Sequence, residues 1–165
     1  MTLSHDPLWP RAGGWPAPDA GSGGWDAVLL GVPAWRTSLS PTGAHATPAA
    51  VREALRRFSP TLLGPPPVDL AERLRIADAG DIASPDGPEG EASVRSAVAE
   101  LATDAGLVVA LGGDNSITYA VAQGAGATGL ITLDAHFDPL DTPSRRSKWA
   151  SRVMSPVAPA PCATA

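Results

Sequence analysis

Asp134, His136 and Asp138 stand at alternate positions where an apolar run ends, in Gly129-Leu130-Ile131-Thr132-Leu133-Asp134-Ala135-His136-Phe137-Asp138. In an extended chain, side chains at i, i+2 and i+4 lie on one side. Two carboxylates and one imidazole therefore converge if the strand stays extended to its end. Like charges gathered at the mouth of a buried strand are costly without a partner, and a divalent cation between them is the simplest one. A Ca²⁺-like or purely hydrogen-bonded acidic strand end is the competing reading. A second polar turn, Gly112-Gly113-Asp114-Asn115-Ser116, follows the apolar run Leu107–Leu111. Asp114 suits an orienting or backbone-capping role there. The Asn115 side chain suits a cap on the helix that follows.

Such groups need a sheet to hold them. Asp26–Val32 is a short, continuously apolar run ended by Pro33, as in a strand buried on both faces. Thr47-Pro48 reads as an N-cap and first helical residue, with Val51, Ala54, Leu55 and Phe58 on one stripe and Ser59-Pro60 as the stop. A second strand is expected around Arg75–Ala79, closing in Gly80-Asp81-Ile82. A clear amphipathic helix carries Val94, Ala97, Val98, Leu101 and Ala105, with Gly106 as its C-cap. Leu107–Leu111 is the next buried strand, and a short helix carries Ile117, Ala120 and Val121. Alternation of helices with buried strands predicts βαβ units and a parallel sheet. Ligands gather at the carboxyl ends of such strands, where both polar turns fall. His45, in the loop before the first helix, is either solvent-exposed or a ligand or substrate contact. Residues 1–25 read as an irregular N-terminal arm with tryptophans packed on the domain surface.

Composition narrows the class. The 165 residues are 44% hydrophobic and 18% charged, as in one globular domain or a piece of a larger one. A net charge of −5 gives no reason to expect nucleic acid or an anionic membrane as partner. The single cysteine, Cys162, has no internal disulfide partner. A reducing compartment follows more easily from that. No secretory signal or membrane-length apolar run is visible, and a cytoplasmic protein is expected. Charge changes sign along the chain. Eight Lys/Arg stand against sixteen Asp/Glu up to Asp138, and Arg145, Arg146, Lys148 and Arg152 against Asp141 beyond it.

These segments together resemble the ureohydrolase superfamily of arginase, agmatinase and formimidoylglutamase. That family carries Gly-Gly-Asp-His-Ser after one strand and Asp-Ala-His-x-Asp after the next. Here they read Gly112-Gly113-Asp114-Asn115-Ser116 and Asp134-Ala135-His136-Phe137-Asp138. Pro41-Thr42-Gly43-Ala44 and Pro48-Ala49-Ala50-Val51-Arg52-Glu53-Ala54-Leu55 look like the family's leading helix, and Asp78-Ala79-Gly80-Asp81 like its Asp-x-Gly-Asp strand end. The likeness spans residues 26–138. It implies a three-layer α/β sandwich around a parallel sheet, a small linear amidine or guanidine as substrate, and a homo-oligomer when intact. It also implies two Mn²⁺ ions about 3.5–4 Å apart that activate a shared water. By position Asp134 would bridge both ions, while His136, Asp138 and Asn115 would each bind one. The zinc deacetylase branch of the same fold also uses an Asp-x-His element, and the Gly-Gly-Asp-Asn turn argues against it.

Two departures qualify that expectation. Asn115 stands where most of the family has histidine, which weakens one metal and tilts the substrate toward N-formimidoyl-glutamate. The family's later Ser-x-Asp-x-Asp segment is missing from this sequence, and the remaining catalytic groups would belong to the same missing half. The expectation is thus the N-terminal part of a formimidoylglutamase-like hydrolase of histidine degradation, with at most one Mn²⁺. The alternative is a catalytically inactive truncated protein with one weak metal site or none. Residues 139–165 read as a non-native or disordered tail, and the apolar edge left open predicts poor solubility.

Overall fold

A computed structural model describes residues 8–19, 24–38, 40–131 and 133. The chain divides into two compact units, residues 1–125 and 126–165. In chain order, the first holds β1 (Ala27–Val32), a 3-10 turn (Ala44–Ala46) leading into α1 (Thr47–Leu55), β2 (Thr61–Leu62), β3 (Val68–Asp69), α2 (Leu70–Arg73), β4 (Ile76–Asp81), α3 (Gly87–Asp104), β5 (Val108–Gly112) and α4 (Ile117–Gly124).

β1 is the centre of a parallel sheet ordered β4-β1-β5. It pairs Ala27 with Ile76 on one side, and Val28 with Val108 through Val32 with Gly112 on the other. Its uninterrupted apolar sequence is what a strand covered on both faces requires. Successive side chains alternate between those faces. Leu30 and Val32 pack with Val94 and Val98 of α3 and Ala120 of α4. Gly31, between them, faces the opposite way, toward Arg52 of α1. Helices thus cover the sheet from both sides, the three-layer α/β arrangement expected of the sequence. Gly90, Val94 and Val98 recur every four residues as the buried stripe of α3. A smaller cluster of Trp25, Val28 and Ala77 closes the amino end of the sheet, where Trp25 bridges to Ala105.

Several local expectations give way. The N-cap of α1 is Ala46, not Thr47, and no side chain caps the helix, because the preceding 3-10 turn runs directly into it. The helix stops at Leu55, and Phe58 is exposed instead of joining the stripe. Ala105 replaces Gly106 as C-cap of α3, since its extended backbone is used to pair with Trp25. The antiparallel β2–β3 hairpin, too short for a periodicity, is an addition. So is α2, whose first turn is capped by the Asp69 carboxylate accepting the Ala71 N–H at 2.9 Å.

Among the described residues β5 is an edge strand, with Leu107 and Val109 exposed, rather than fully buried. The strand expected over 129–133 does not appear among its described residues. Gly129, Leu130, Ile131 and Leu133 lie in no strand, with Ile131 92% and Leu133 97% exposed. A strand exists only with a neighbour to pair with, and among the described residues none pairs with these. The expected tail from 139 lies outside the described residues.

Candidate functional site

The carboxyl ends of β1, β4 and β5 are held together by carboxylates. After β1 the chain turns at Pro33 into a loop, residues 33–38, that two aspartates fasten. Asp86, just before α3, has no capping bond to its own helix. Its Oδ1 instead accepts the backbone N–H of Trp35 at 3.0 Å and of Arg36 at 2.9 Å. Asp114, just after β5, accepts the Thr37 hydroxyl at 2.8 Å and the Ser38 hydroxyl at 3.1 Å on Oδ2. Its Oδ1 accepts the Ser116 N–H at 3.0 Å and the Ser116 hydroxyl. Burial pushes the Asp114 carboxyl up, yet the donors of Ser116, Thr37 and Ser38 outweigh it and hold the group below its ordinary value.

The two glycines before Asp114 are there for space. A Cβ on Gly113 would lie 2.0 Å from the Ala34 carbonyl oxygen and 3.1 Å from that of Ala44. The β1–α1 loop and the 3-10 turn therefore both rest directly on the Gly113 backbone. Main-chain bonds seal the contact, from Gly113 N–H to Val32 O at 3.1 Å and from Asp114 N–H to Ala34 O at 2.9 Å. Between the loop and the starts of α3 and α4 lies a cavity of about 20 Å³, lined in part by Thr37, Asp86, Glu91 and Ser116. That is room for a single water rather than a substrate. Burial raises the Glu91 carboxyl there, against the opposing pull of Arg95.

At the end of β4 a second cluster ties α1 to the sheet. The Arg52 guanidinium forks onto Asp78, with Nε to Oδ2 at 2.7 Å and Nη2 to Oδ1 at 2.8 Å. It also reaches Asp81 Oδ1 and, at 3.0 Å, the Gly80 carbonyl. Hydrogen bonding to Arg52 is the main cause of the lowered Asp78 carboxyl, and the guanidinium is correspondingly raised. Both segments are conspicuous in the sequence. Their pairing is not, since 26 residues separate Arg52 from Asp78.

Of the residues singled out for metal, the structure describes Asn115, with Asp114 beside it. Asn115 is exposed, and its side chain makes no hydrogen bond to any described residue. It does not cap α4, whose N-cap is Ser116. The backbone N–H of Ser116 is taken by Asp114 instead. Asp134, His136 and Asp138 lie outside the described residues. Among the described residues no group of three or more His, Cys, Asp or Glu is placed to hold a metal. The donor types of the full set, two carboxylates, an imidazole and an amide oxygen, are hard O and N ligands that fit Mn²⁺. His45 packs its ring against Trp35, centroids 5.5 Å apart and planes tilted by 54°. No described helix is long and apolar enough to cross a membrane.

Comparison with known proteins places this architecture. A formimidoylglutamase of Halobacterium salinarum is 38% identical over 121 residues, covering 69% of this chain and 38% of that protein. An agmatinase of Pyrococcus horikoshii is 32% identical over 120 residues, 71% of this chain and 42% of its own length. The crystal structure of formimidoylglutamase from Bacillus subtilis superposes with a TM-score of 0.71 at 27% identity, covering 92% of this chain and 50% of that one. The chain thus spans about two fifths of the length of the curated relatives it matches. The arginase family model matches residues 25–160, a range that includes much of the segment set apart as a tail. The chain belongs to the arginase family.

Proposed function

We propose that this chain is the N-terminal part of a Mn²⁺-dependent hydrolase that cleaves a C–N bond in a small linear amidine or guanidine, formimidoylglutamase-like in its preference. The observation that carries the reading is the Gly112–Ser116 turn. It sits at the carboxyl end of β5, with Asp114 engaged by four donors and the adjacent Asn115 carboxamide unengaged among the described residues. Likeness to formimidoylglutamases and agmatinases supports the substrate class.

Asn115, Asp134, His136 and Asp138 would hold the metal, and Asp114 would orient Asn115 through its bonds to Thr37, Ser38 and Ser116. Bound Mn²⁺ would supply charge that makes water a nucleophile at neutral pH and stabilises the developing negative charge. An amide oxygen is a weaker ligand than imidazole. This favours a second reading, a catalytically silent chain with at most one loosely held Mn²⁺. The partners proposed are a small amidine and further copies of the intact protein, with no nucleic acid or membrane.

Electron paramagnetic resonance of free Mn²⁺ during titration tests the site. One ion or fewer per chain is expected, lost in Asp134→Ala and bound more tightly in Asn115→His. Absence of binding at millimolar Mn²⁺ refutes the metal site. Hydrolysis of N-formimidoyl-glutamate by the 165-residue chain at ordinary enzyme rates refutes the silent reading.

A further inference from the structure

The loop after β1 presents an indole that nothing in the packing requires. Trp35 is 41% exposed and belongs to neither core cluster. Every residue around it is nevertheless fastened. Ala34 donates to the Val32 carbonyl at 2.7 Å and accepts from Asp114. The N–H groups of Trp35 and Arg36 go to Asp86, and the Thr37 and Ser38 hydroxyls to Asp114. The ring packs at a tilt against that of His45. Fixing a loop costs conformational entropy and exposing an indole forgoes burial. A rigid, exposed aromatic of this kind suits recognition.

Its place is also specific. Ala34 and Ala44, the residues before Trp35 and His45, both lie against Gly113, two residues before Asn115. The surroundings are acidic, with Asp86, Asp114 and Glu91 around the same loop. An exposed indole face attracts a cation, and tryptophan is the best of the rings for it. The chain uses this chemistry at the other end of the sheet, where the Arg75 guanidinium lies 4.8 Å over the Trp25 ring.

We propose that Trp35, backed by His45, is a substrate-specificity platform on which a planar cation, an amidinium or guanidinium, stacks beside the Asn115 turn. The ligand class rests on the amidine-hydrolase reading above; the platform itself rests on the geometry of the loop.

The test is an NMR titration of the full chain with formamidinium chloride and methylguanidinium chloride, and with potassium glutamate as the anionic control. The Trp35 indole N–H signal, assigned by its loss in Trp35→Phe, and the His45 ring signals are followed. Both cations are expected to move these signals saturably, and glutamate is not. From the strength of cation–π contacts, Trp35→Leu should weaken cation binding about five- to tenfold and Trp35→Phe by roughly half as much on a logarithmic scale. Circular dichroism checks that each variant folds. The platform is overturned if the cations leave the Trp35 signal in place, if glutamate moves it equally, or if Trp35→Leu binds as the unaltered chain does. Mn²⁺ binding measured on the same samples separates the two ideas. Cation-induced Trp35 shifts without Mn²⁺ binding support the platform and refute the metal reading. Mn²⁺ binding with an indifferent Trp35 does the reverse.

Discussion

Replacing Arg52 by methionine removes a cation that joins α1 to the carboxyl end of β4. Its side chain is 23% exposed and that of Asp78 only 16%. The pair is therefore mostly desolvated and bidentate, the geometry in which charged hydrogen bonds are strongest. Breaking a fully buried pair from one side costs about 3–5 kcal/mol, because the other charge stays behind unpaired. Exposed pairs contribute about 0–1 kcal/mol. Between these limits, and with Asp78 keeping the Gly80 N–H at 2.9 Å, Arg52→Met is expected to cost about 2–3 kcal/mol. For the roughly 110 described residues of the first unit, at about 2.1 cal/mol/K each, that lowers the unfolding midpoint by about 10 °C. Differential scanning fluorimetry and urea melts at pH 7 read it. Arg52→Lys keeps the charge but not the fork and should recover less than half the loss.

The acid side provides an independent check. Asp78 is held below its unfolded value, so the native state binds fewer protons than the unfolded chain. Its stabilisation is complete above about pH 4 and drains away as pH falls through the lowered native value. The gap between the unaltered chain and Arg52→Met should therefore be constant from pH 6 to 8 and shrink below about pH 4. A loss under 0.5 kcal/mol at pH 7, or a gap that widens in acid, refutes the role given to this pair.

Other outcomes follow from the same geometry. Gly113→Ala drives a methyl into the Ala34 carbonyl at 2.0 Å. It should cost about 3 kcal/mol or abolish soluble expression, whereas Gly43→Ala, with nothing within 4 Å, should lie within about 0.5 kcal/mol in the same melts. Val98→Ala hollows the fully buried contact between α3 and β1 and should lower the urea midpoint by the equivalent of about 2 kcal/mol. Ile131→Lys, at a 92% exposed position, should raise the soluble fraction without changing the melting temperature of the first unit; an unchanged fraction would mean that this apolar stretch does not drive aggregation.

Much of this fold is legible because its signals are local. The runs at Ala27–Val32 and Val108–Gly112 and the stripe through Val94 and Val98 each declare their period within a dozen residues. One miss is local: Thr47 carries every mark of an N-cap, but the 3-10 turn before it already leads the chain into the helix. The others depend on a partner distant in sequence. Ala105 shows no mark of a C-cap, but Trp25 bonds the Asp104 carbonyl and the Gly106 N–H on either side of it and draws it out of the helix. Arg52 and Asp78 stand out separately as parts of two motifs, and only the fold reveals that they are one cluster. Over 129–133 the described residues lie in no strand although their composition is apolar and β-branched, because composition alone does not provide the neighbour that pairing needs.

Asp114 and Asn115 carry the same lesson into the site. Adjacent in sequence and nearly isosteric, they have opposite surroundings. The carboxylate is spent on four donors that bind two loops to the end of β5, and those donors keep it charged. A charged group so engaged has little lone-pair capacity left for a cation. The carboxamide has its oxygen available, but neutral. If a metal sits here, the position open to it offers no charge, and the charged position is not open. On the proposed ligand set, the charge that attracts the ion would come from Asp134, His136 and Asp138. This separation of charge from availability is why Asn115→His is expected to strengthen Mn²⁺ binding, while Asp114→Asn should loosen the turn without removing a ligand.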